Sequence, residues 1–299
     1  MTGPDAQRSN IKDFLTSRRA KLRPDDVGLP AGNRRRVSGL RREEVAVLAG
    51  VSPEWYARLE KGNIAGVSED VLTAVASALR LNEEERTYLF DLAHTARGSV
   101  RKPVRRKKVE PIAESVQWFL DSATLSAGFV RNGRLDVVAS NQLGRALHAP
   151  MFNCESTLAN GYANFARFHF LEPAAKEFFL DWEGGAAATA ALLRAEAGRE
   201  PNDKALHDLI GELSTRSEEF RTLWATHNIR FTHEGLKRIH HPVVGRLDLA
   251  YRSFDITQLP RATHEMSIYV AQPGSSSEEG LKMLSSWALT TNDAPTTNG

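Results

Sequence analysis

The chain has 299 residues, 41% hydrophobic and 25% charged, which suits about two globular domains that each bury a core. No uninterrupted apolar run approaches the ~18 residues of a membrane span, and the N-terminal MTGPDAQRSN lacks the apolar stretch of a signal peptide, so a cytoplasmic protein with no membrane partner is expected. One cysteine, Cys154, permits neither an internal disulfide nor a multi-cysteine zinc site. The net charge of +2 hides an asymmetry: residues 1–109 hold 22 Lys+Arg against 14 Asp+Glu, a net +8, and residues 110–299 hold 17 against 23, a net −6. A basic first half attracts a polyanion that the acidic second half does not.

In chain order, a first helix is predicted over residues 8–22, with Ile11, Phe14, Leu15 and Leu22 inside, Arg18, Arg19, Lys21 and Arg23 outside, and Pro24 as its stop. The loop over 25–39 carries Arg34, Arg35 and Arg36 between Gly32 and Gly39; it is either a solvated arm or one laid along phosphates or in a minor groove. Residues 40–62, LRREEVAVLAGVSPEWYARLEKG, read as two short helices. Val45, Ala46, Leu48 and Ala49 have helical spacing, Gly50 is the left-handed stop, Ser52 the next N-cap and Pro53 the first helical residue. Tyr56 and Leu59 then share one face, and Gly62 closes the second helix. This is the spacing of a helix-turn-helix, whose second helix enters the major groove, although any small αα-hairpin has the same spacing. Ser68 caps a helix with Val71, Leu72, Val75, Ala76 and Leu79 inward, and Asn82 with Glu85 makes a capping-box variant for the next, which packs Leu89, Leu92 and Ala93.

Residues 98–111, GSVRKPVRRKKVEP, form a basic linker, either a solvated hinge or one that adds non-specific phosphate contacts. Beyond it, Ile112, Val116, Phe119 and Leu120 give a helix, and apolar stretches at 127–130 and 135–139 around Asn132-Gly133 signal a two-residue hairpin. Helices are predicted near 141–148, 173–182, 186–197, 203–213 and 218–227, strands at 230–240, 245–254 and 266–271, a closing helix at 278–288 and a disordered tail at 290–299. The domains are therefore drawn at 1–97, 98–111 (linker) and 112–289.

The stretches DVGLPAGNRRRVSGLRREEVAVLAGVS (26–52), FRTLWATHNIR (220–230) and HPVVGRLDL (241–249) resemble the XRE-type helix-turn-helix regulators, and more narrowly the MmyB-like bacterial family. The resemblance implies an all-α five-helix XRE-type helix-turn-helix domain followed by an α+β PAS-like domain, in which an antiparallel sheet and its helices enclose a small cavity. It departs at 63–67, where the family carries a basic, proline-containing turn, and at Ser140, where a tryptophan is expected before Asn141. It also implies a sequence-specific transcription regulator that binds a double-stranded DNA operator and senses an apolar, fatty-acid-like small molecule, and a homodimer is expected because one short helix in a groove supplies few contacts. The alternative is a regulator whose C-terminal half binds a protein partner.

Carried onto this sequence, the resemblance puts Arg42 against a phosphate with Arg41 assisting, and Pro53, Glu54 and Arg58 on base edges. Arg58 suits guanine O6 and N7, and Glu54 suits a cytosine amine. Ser52, Lys61 and Asn63, with the Arg34–Arg35–Arg36 run, complete the expected DNA surface; Trp55 either packs on the sugar backbone or is partly buried, and Glu60 pairs with an arginine of the first helix. The expected ligand-binding set is Phe129, Phe165, Phe168, Trp182, Phe220, Trp224 and Phe231, with Arg167, Arg230, His233 and Tyr251 for a head group. No Walker A loop, GxSxG, HExxH or GxGxxG occurs, so no enzyme and no resident cofactor are expected beyond a bound fatty acid or similar ligand. His240 and His241 are adjacent on a predicted strand and point to opposite faces, poor geometry for joint metal binding.

Overall fold

The computed structural model describes residues 4–30, 37, 39–64, 66–98, 112–159, 161–226, 228, 232–257 and 263–292. The chain divides into two compact units: Met1–Arg105 with Arg194–His207 and Trp224–Phe231, and Arg106–Leu193 with Asp208–Leu223 and Thr232–Gly299.

The first unit begins with α1 (Pro4–Lys21), a 3-10 turn (Pro24–Val27), α2 (Arg42–Leu48), α3 (Pro53–Glu60), α4 (Glu69–Ala78) and α5 (Glu83–Gly98). Local chemistry accounts for each boundary. Ser52 Oγ accepts from the Trp55 amide at 3.1 Å and Ser68 Oγ from the Val71 amide at 3.4 Å, so α3 and α4 start where their caps stand. Asn82 and Glu85 form the expected reciprocal pair, Glu85 N to Asn82 Oδ1 at 2.8 Å and Asn82 N to Glu85 Oε2 at 3.2 Å. Gly50 turns left-handed after α2, with φ +65°. Gly62, at φ +94°, also lets the end of α3 close on α1, since a Cβ there would lie 2.8 Å from the Arg8 backbone. Ile11, Phe14, Leu15, Tyr56, Leu59, Leu72, Val75, Leu89 and Leu92 are almost wholly buried in one core.

Two arginines expected on the outside of α1 are not there. Arg18 is buried, its Nη1 donating to Glu85 Oε1 at 2.6 Å, and Arg19 donates to Glu60 and to the Leu40 carbonyl. The helical stripe was drawn from apolar residues alone, whereas an arginine enters a core when a carboxylate from another helix neutralises it.

The second unit opens with α6 (Glu114–Ser122), β1 (Ala127–Asn132) and β2 (Val137–Ser140). Next come α7 (Gln142–Leu147), α8 (Ala149–Phe152), a 3-10 turn (Glu155–Thr157), β3 (Leu158–Ala159), β4 (Tyr162–Ala163), α9 (Phe165–Leu171) and α10 (Ala174–Phe178). After α11 (Trp182–Arg199), α12 (Lys204–Arg216) and α13 (Glu218–Ala225), the chain returns as β5 (Glu234–His241), β6 (Gly245–Thr257) and β7 (Thr263–Ala271), and α14 (Ser276–Asn292) follows. The main sheet is antiparallel in the order β2-β1-β7-β6-β5, with β3 and β4 as a separate small pair.

Alternation sorts this sheet's residues by face. Val130 and Met266 pack with Leu120 of α6, while their neighbour Phe129 turns to the other side and meets Phe165 of α9. Asn141 joins α6, β1 and α7: its Oδ1 accepts from Gly128 N at 3.0 Å and Gly144 N at 2.7 Å, and its Nδ2 donates to the Leu120, Ala123 and Ser126 carbonyls. Gly144 sits against that strand so closely that a Cβ would lie 2.4 Å from the Gly128 oxygen.

The β1–β2 hairpin forms, but not with the two-residue turn expected at Asn132-Gly133. Asn132 N donates to Asp136 O at 3.1 Å, so three residues close the turn, and Leu135 takes the left-handed conformation with φ +67°. The Asn132 Oδ1, accepting from the Arg134 and Asp136 amides at 2.9 and 3.1 Å, stabilises this longer loop. Phe119, one of the apolar residues from which α6 was predicted, is 58% exposed. Helix α9 falls where no helix was predicted; Asn164 Oδ1 caps it by accepting from Arg167 N at 3.0 Å.

Candidate functional site

The first candidate surface is the outer face of α3. Glu54, Arg58 and Lys61, spaced four and three apart, share that face and are exposed, with Pro53 at its start. Tyr56 and Leu59 are 0% and 1% exposed, so the inside-outside division of this helix is as expected from spacing. Trp55 is half-buried and packs on the core, the second of its two expected environments. Ser52, although exposed, spends its hydroxyl on the helix cap, and Asn63 is exposed with its amide donating to the Arg58 carbonyl at 3.1 Å.

Behind this face lies a buried carboxylate. Glu60 accepts from Thr16 Oγ1 at 2.9 Å, Arg19 Nη2 at 2.9 Å and Arg42 Nε at 3.0 Å. Burial alone would raise its pKa, but the hydrogen bonds from Arg19 and Arg42 outweigh burial and hold it below the usual carboxylate value. The pairing with Arg19 of α1 is the one expected for Glu60, and Arg42 is a further partner. The Arg42 side chain remains half exposed while its Nε is engaged, which leaves it part anchor and part surface charge. Arg41 is exposed just before α2, its amide donating to Glu44 Oε2 at 2.6 Å. Arg34, Arg35, Arg36 and residues 99–111 of the linker lie outside the described residues.

The second candidate is the sheet face opposite α6. Its centre is His148, 1% exposed, whose ring is met by Phe129 at 5.3 Å, Phe165 at 5.2 Å, Tyr269 at 5.7 Å and Phe178 at 6.1 Å. Burial pushes the His148 pKa down to about 4 against the opposing pull of its bond to the Gly144 carbonyl, so the ring is neutral at pH 7. Its Nε2 is buried, with no hydrogen-bond partner among the described residues. Toward the β5 edge the same face carries Tyr251, beside Tyr269 at 5.9 Å, and Lys237, whose ammonium lies 5.5 Å from the Tyr251 ring and whose pKa burial and nearby Arg131 lower. Further along, Arg131 pairs with Glu265, and the Ser253 and Ser267 hydroxyls meet at 2.8 Å.

The structure scatters the expected ligand-binding residues. Phe129, Phe165 and Tyr251 belong to this face, and Phe168 adjoins it by way of Phe178 at 5.8 Å. Arg167 donates to Glu212 from both Nε and Nη2, at 2.9 and 2.8 Å. Trp182 stacks on His169 and reaches Phe170, which packs on Phe220 at 5.0 Å, an aromatic group further out that joins this face through Phe179, 4.7 Å from His169 and 4.9 Å from Phe178. Trp224 belongs to the first unit and lies under the Arg194 guanidinium. His233 is half exposed, 3.9 Å from Glu265, and Arg230 and Phe231 lie outside the described residues. Sequence reasoning missed His148, Lys237 and Tyr269 and counted Phe178 only among the general aromatic set. Lys237, Ile239 and His241 alternate along β5, a period that marks the inner face, but an inward lysine departs from the apolar pattern used to find it.

A surface cleft of about 480 Å³ runs between α11 and α13, lined by Trp182, Glu183, Ala186, Glu218, Glu219, Thr222 and Leu223. Among the described residues no group of three or more His, Cys, Asp and Glu is placed to hold a metal ion, and no helix is long and apolar enough to cross a membrane. His241 is buried and bonds the Ala146 carbonyl at 3.1 Å through Nε2, while His240 is exposed, on opposite faces of β5 as expected.

Comparison with known families matches a helix-turn-helix domain over residues 14–89 and the MmyB-like transcription regulator ligand binding domain over residues 112–284. The second match spans more than half of the chain. The chain belongs to the MmyB-like family of transcription regulators. None of the curated proteins compared with it matches. This MmyB-like protein is thus a DNA-binding transcription regulator with a small-molecule-binding domain, and both matched families are regulatory rather than enzymatic. Its described fold fits that division: α1 to α5 carry the exposed face of α3, and the region from α6 onward builds a five-stranded antiparallel sheet with covering helices.

Proposed function

We propose that this regulator reads a DNA operator with the outer face of α3, as a homodimer, and adjusts that binding to an apolar, fatty-acid-like molecule held in a PAS-like fold. Arg58, Glu54 and Pro53 meet base edges, Arg42 and Arg41 meet phosphates, and Ser52, Trp55, Lys61 and Asn63 border the contact. Support comes from the exposure of Glu54, Arg58 and Lys61 on one face of a helix whose other face is fully buried. One short helix in a groove supplies few contacts, which favours two copies on two half-sites.

The observation that carries the ligand assignment is the aromatic face around His148. Phe129, Phe165, Phe178 and Tyr269 offer an apolar body site, and Lys237 is a cationic group at its border for an acid head group. The antiparallel strand order β2-β1-β7-β6-β5 supports the PAS-like reading. The test is mass spectrometry of small molecules extracted from the purified full chain, followed by operator-affinity measurements with and without the recovered molecule. A long-chain acid that shifts affinity by about 5- to 150-fold is expected. An empty protein, or saturation without any change in affinity, sinks the reading. A protein partner for the C-terminal half then takes its place, a reading favoured by Trp118 and Phe119, 66% and 58% exposed on α6.

A further inference from the structure

The helix-turn-helix family match ends at residue 89, yet the compact unit containing it also holds Arg194–His207 and Trp224–Phe231, which lie within the span of the ligand-binding match. The contacts within that unit are specific. Ala195 belongs to the same apolar core as Phe14, Tyr56 and Leu89. Gly198 lies against Tyr88 of α5 with no room for a side chain, since a Cβ would fall 2.3 Å from Tyr88 Cε2. The Gly198 carbonyl accepts from Thr95 Oγ1 at 3.3 Å, and Asn228 Oδ1 accepts from Lys21 Nζ at 2.5 Å.

Arg194 is the least expected member. It is 3% exposed, its guanidinium lies 4.1 Å from the Trp224 ring centre, and it donates to the Trp224 carbonyl. Burial lowers its pKa to about 10, so it is still a cation at pH 7. Enclosing a charge costs stability unless its partners are in place, so such a group favours one docked arrangement over looser alternatives.

From this contact a chain of packed groups leads to the recognition helix. Tyr88 packs edge-on against Phe14 of α1 at 5.1 Å, and α1 holds α3 through Arg19 and Thr16 on Glu60. The two segments also continue helices whose other ends belong to the second unit. Helix α11 runs unbroken from Trp182, in the His169–Phe170 aromatic group, to Arg199, and α13 runs from Glu218 past buried Phe220 to Trp224 and Ala225.

We propose that Arg194, Ala195 and Gly198 of α11, with Trp224 of α13, form a clasp on α1 and α5 that sets the aim of α3, so that rearrangement of α11 or α13 is read out as a change in DNA affinity. This rests on the ligand-responsive reading above for its trigger, but the clasp itself is tested without a ligand. Neither α11 nor α13 needs to touch DNA: the clasp acts on the helices that carry α3, and a coupling arises if two arrangements of those helices bind DNA unequally.

The experiment uses the full chain, a duplex recovered by selection from a random pool, and the variants Gly198→Val and Arg194→Met. Amide exchange in α1 and α5 reports whether the clasp is open, and fluorescence anisotropy reports affinity. Opening is expected to raise exchange around Tyr88 and to change affinity at least fivefold, with an unchanged salt slope because no phosphate contact is altered. Faster exchange with affinity within twofold of wild type overturns the clasp. Should Gly198→Val fail to fold, Arg194→Met, which keeps an unbranched apolar stem and removes the guanidinium, decides by the same two readouts. Decanoate added to wild type separates the two ideas. No response to decanoate with a fivefold shift in the variants upholds the clasp and counts against the fatty-acid sensor. A response of equal size in wild type and in a variant with opened α5 overturns the clasp and upholds the sensor.

Discussion

The outer face of α3 and the aromatic face around His148 hold polar groups in opposite ways. On α3, Glu54, Arg58 and Lys61 project into solvent, so the helix keeps them at little cost and any binding energy is realised only when a partner arrives. Around His148 a titratable ring is enclosed by four aromatic side chains, its pKa held near 4 by burial, and stability is committed before any ligand binds. A reader built from exposed charges tolerates substitution of each contact without unfolding. An interior built from desolvated groups does not.

The sharpest way to break that comparison is to find a desolvated group whose loss is harmless. The strongest case is Glu85, which faces buried Arg18 across a 2.6 Å ion pair with side-chain exposures of 6% and 5%. Glu85→Ala leaves the Arg18 cation enclosed and removes one half of the Asn82 capping box, so a loss of about 3 to 5 kcal/mol is expected. Glu85→Gln, which keeps the cap acceptor, should lose less. Denaturant unfolding of both variants checks this, and a Glu85→Ala loss below about 1 kcal/mol would show that buried charges in this unit are as forgiving as the exposed ones on α3.

How much of this was legible in the sequence follows the same division. Caps and left-handed glycines act over a few residues, so Ser52, Ser68, Asn82 with Glu85, and Gly50 announced α3, α4, α5 and the end of α2. The set on the outer face of α3 came from the family resemblance, and the burial of Tyr56 and Leu59, whose shared face was read from spacing, leaves that set outside. Arg18 was misplaced because its partner Glu85 is 67 residues away, and no local pattern carries such a pairing. The aromatic face around His148 was read incompletely for a related reason. Its rings converge from β1, α9, α10 and β7, and an aromatic count cannot tell Phe129 and Phe165, which meet His148, from Phe220 and Trp182, which meet each other's neighbours elsewhere.

A second test asks whether the enclosed ring carries the pH dependence that its burial implies. The folded pKa of His148 lies near 4, below the ordinary 6.5, so the unfolded chain binds the proton first. Its contribution is therefore fully present above about pH 6.5, declines as pH falls, and is lost by about pH 4, for a total on the order of 3 kcal/mol at 1.36 kcal/mol per pKa unit. His169, held near 4 by burial as well, adds a similar slope in the same window. His148→Phe removes one of the two, and the unfolding free energy of wild type minus that of the variant should fall steadily from pH 7 through 5.5 to 4.5. Parallel curves would mean that the ring is hydrated or already open to a ligand.

The smallest effects belong to the reader, where two arginines on neighbouring helices separate an anchor from a base contact. Arg58 is exposed on α3, and Arg58→Ala should cost about 1 to 3 kcal/mol on the selected operator, relax preference at one base position and leave the unfolding free energy within about 0.5 kcal/mol of wild type. Arg42 differs in being tied to Glu60 through Nε at 3.0 Å while half of its side chain faces solvent. If that exposed half meets a phosphate, Arg42→Ala lowers the slope of log affinity against log salt by about 0.9 and weakens all sequences alike. Its stability cost should stay small, since Arg19 and Thr16 still hold the Glu60 carboxylate. Titrations of both variants on the operator and on a scrambled duplex, at several salt concentrations, make the separation measurable. An unchanged salt slope for Arg42→Ala assigns that residue to Glu60 alone, and equal losses on both duplexes for Arg58→Ala remove it from base reading.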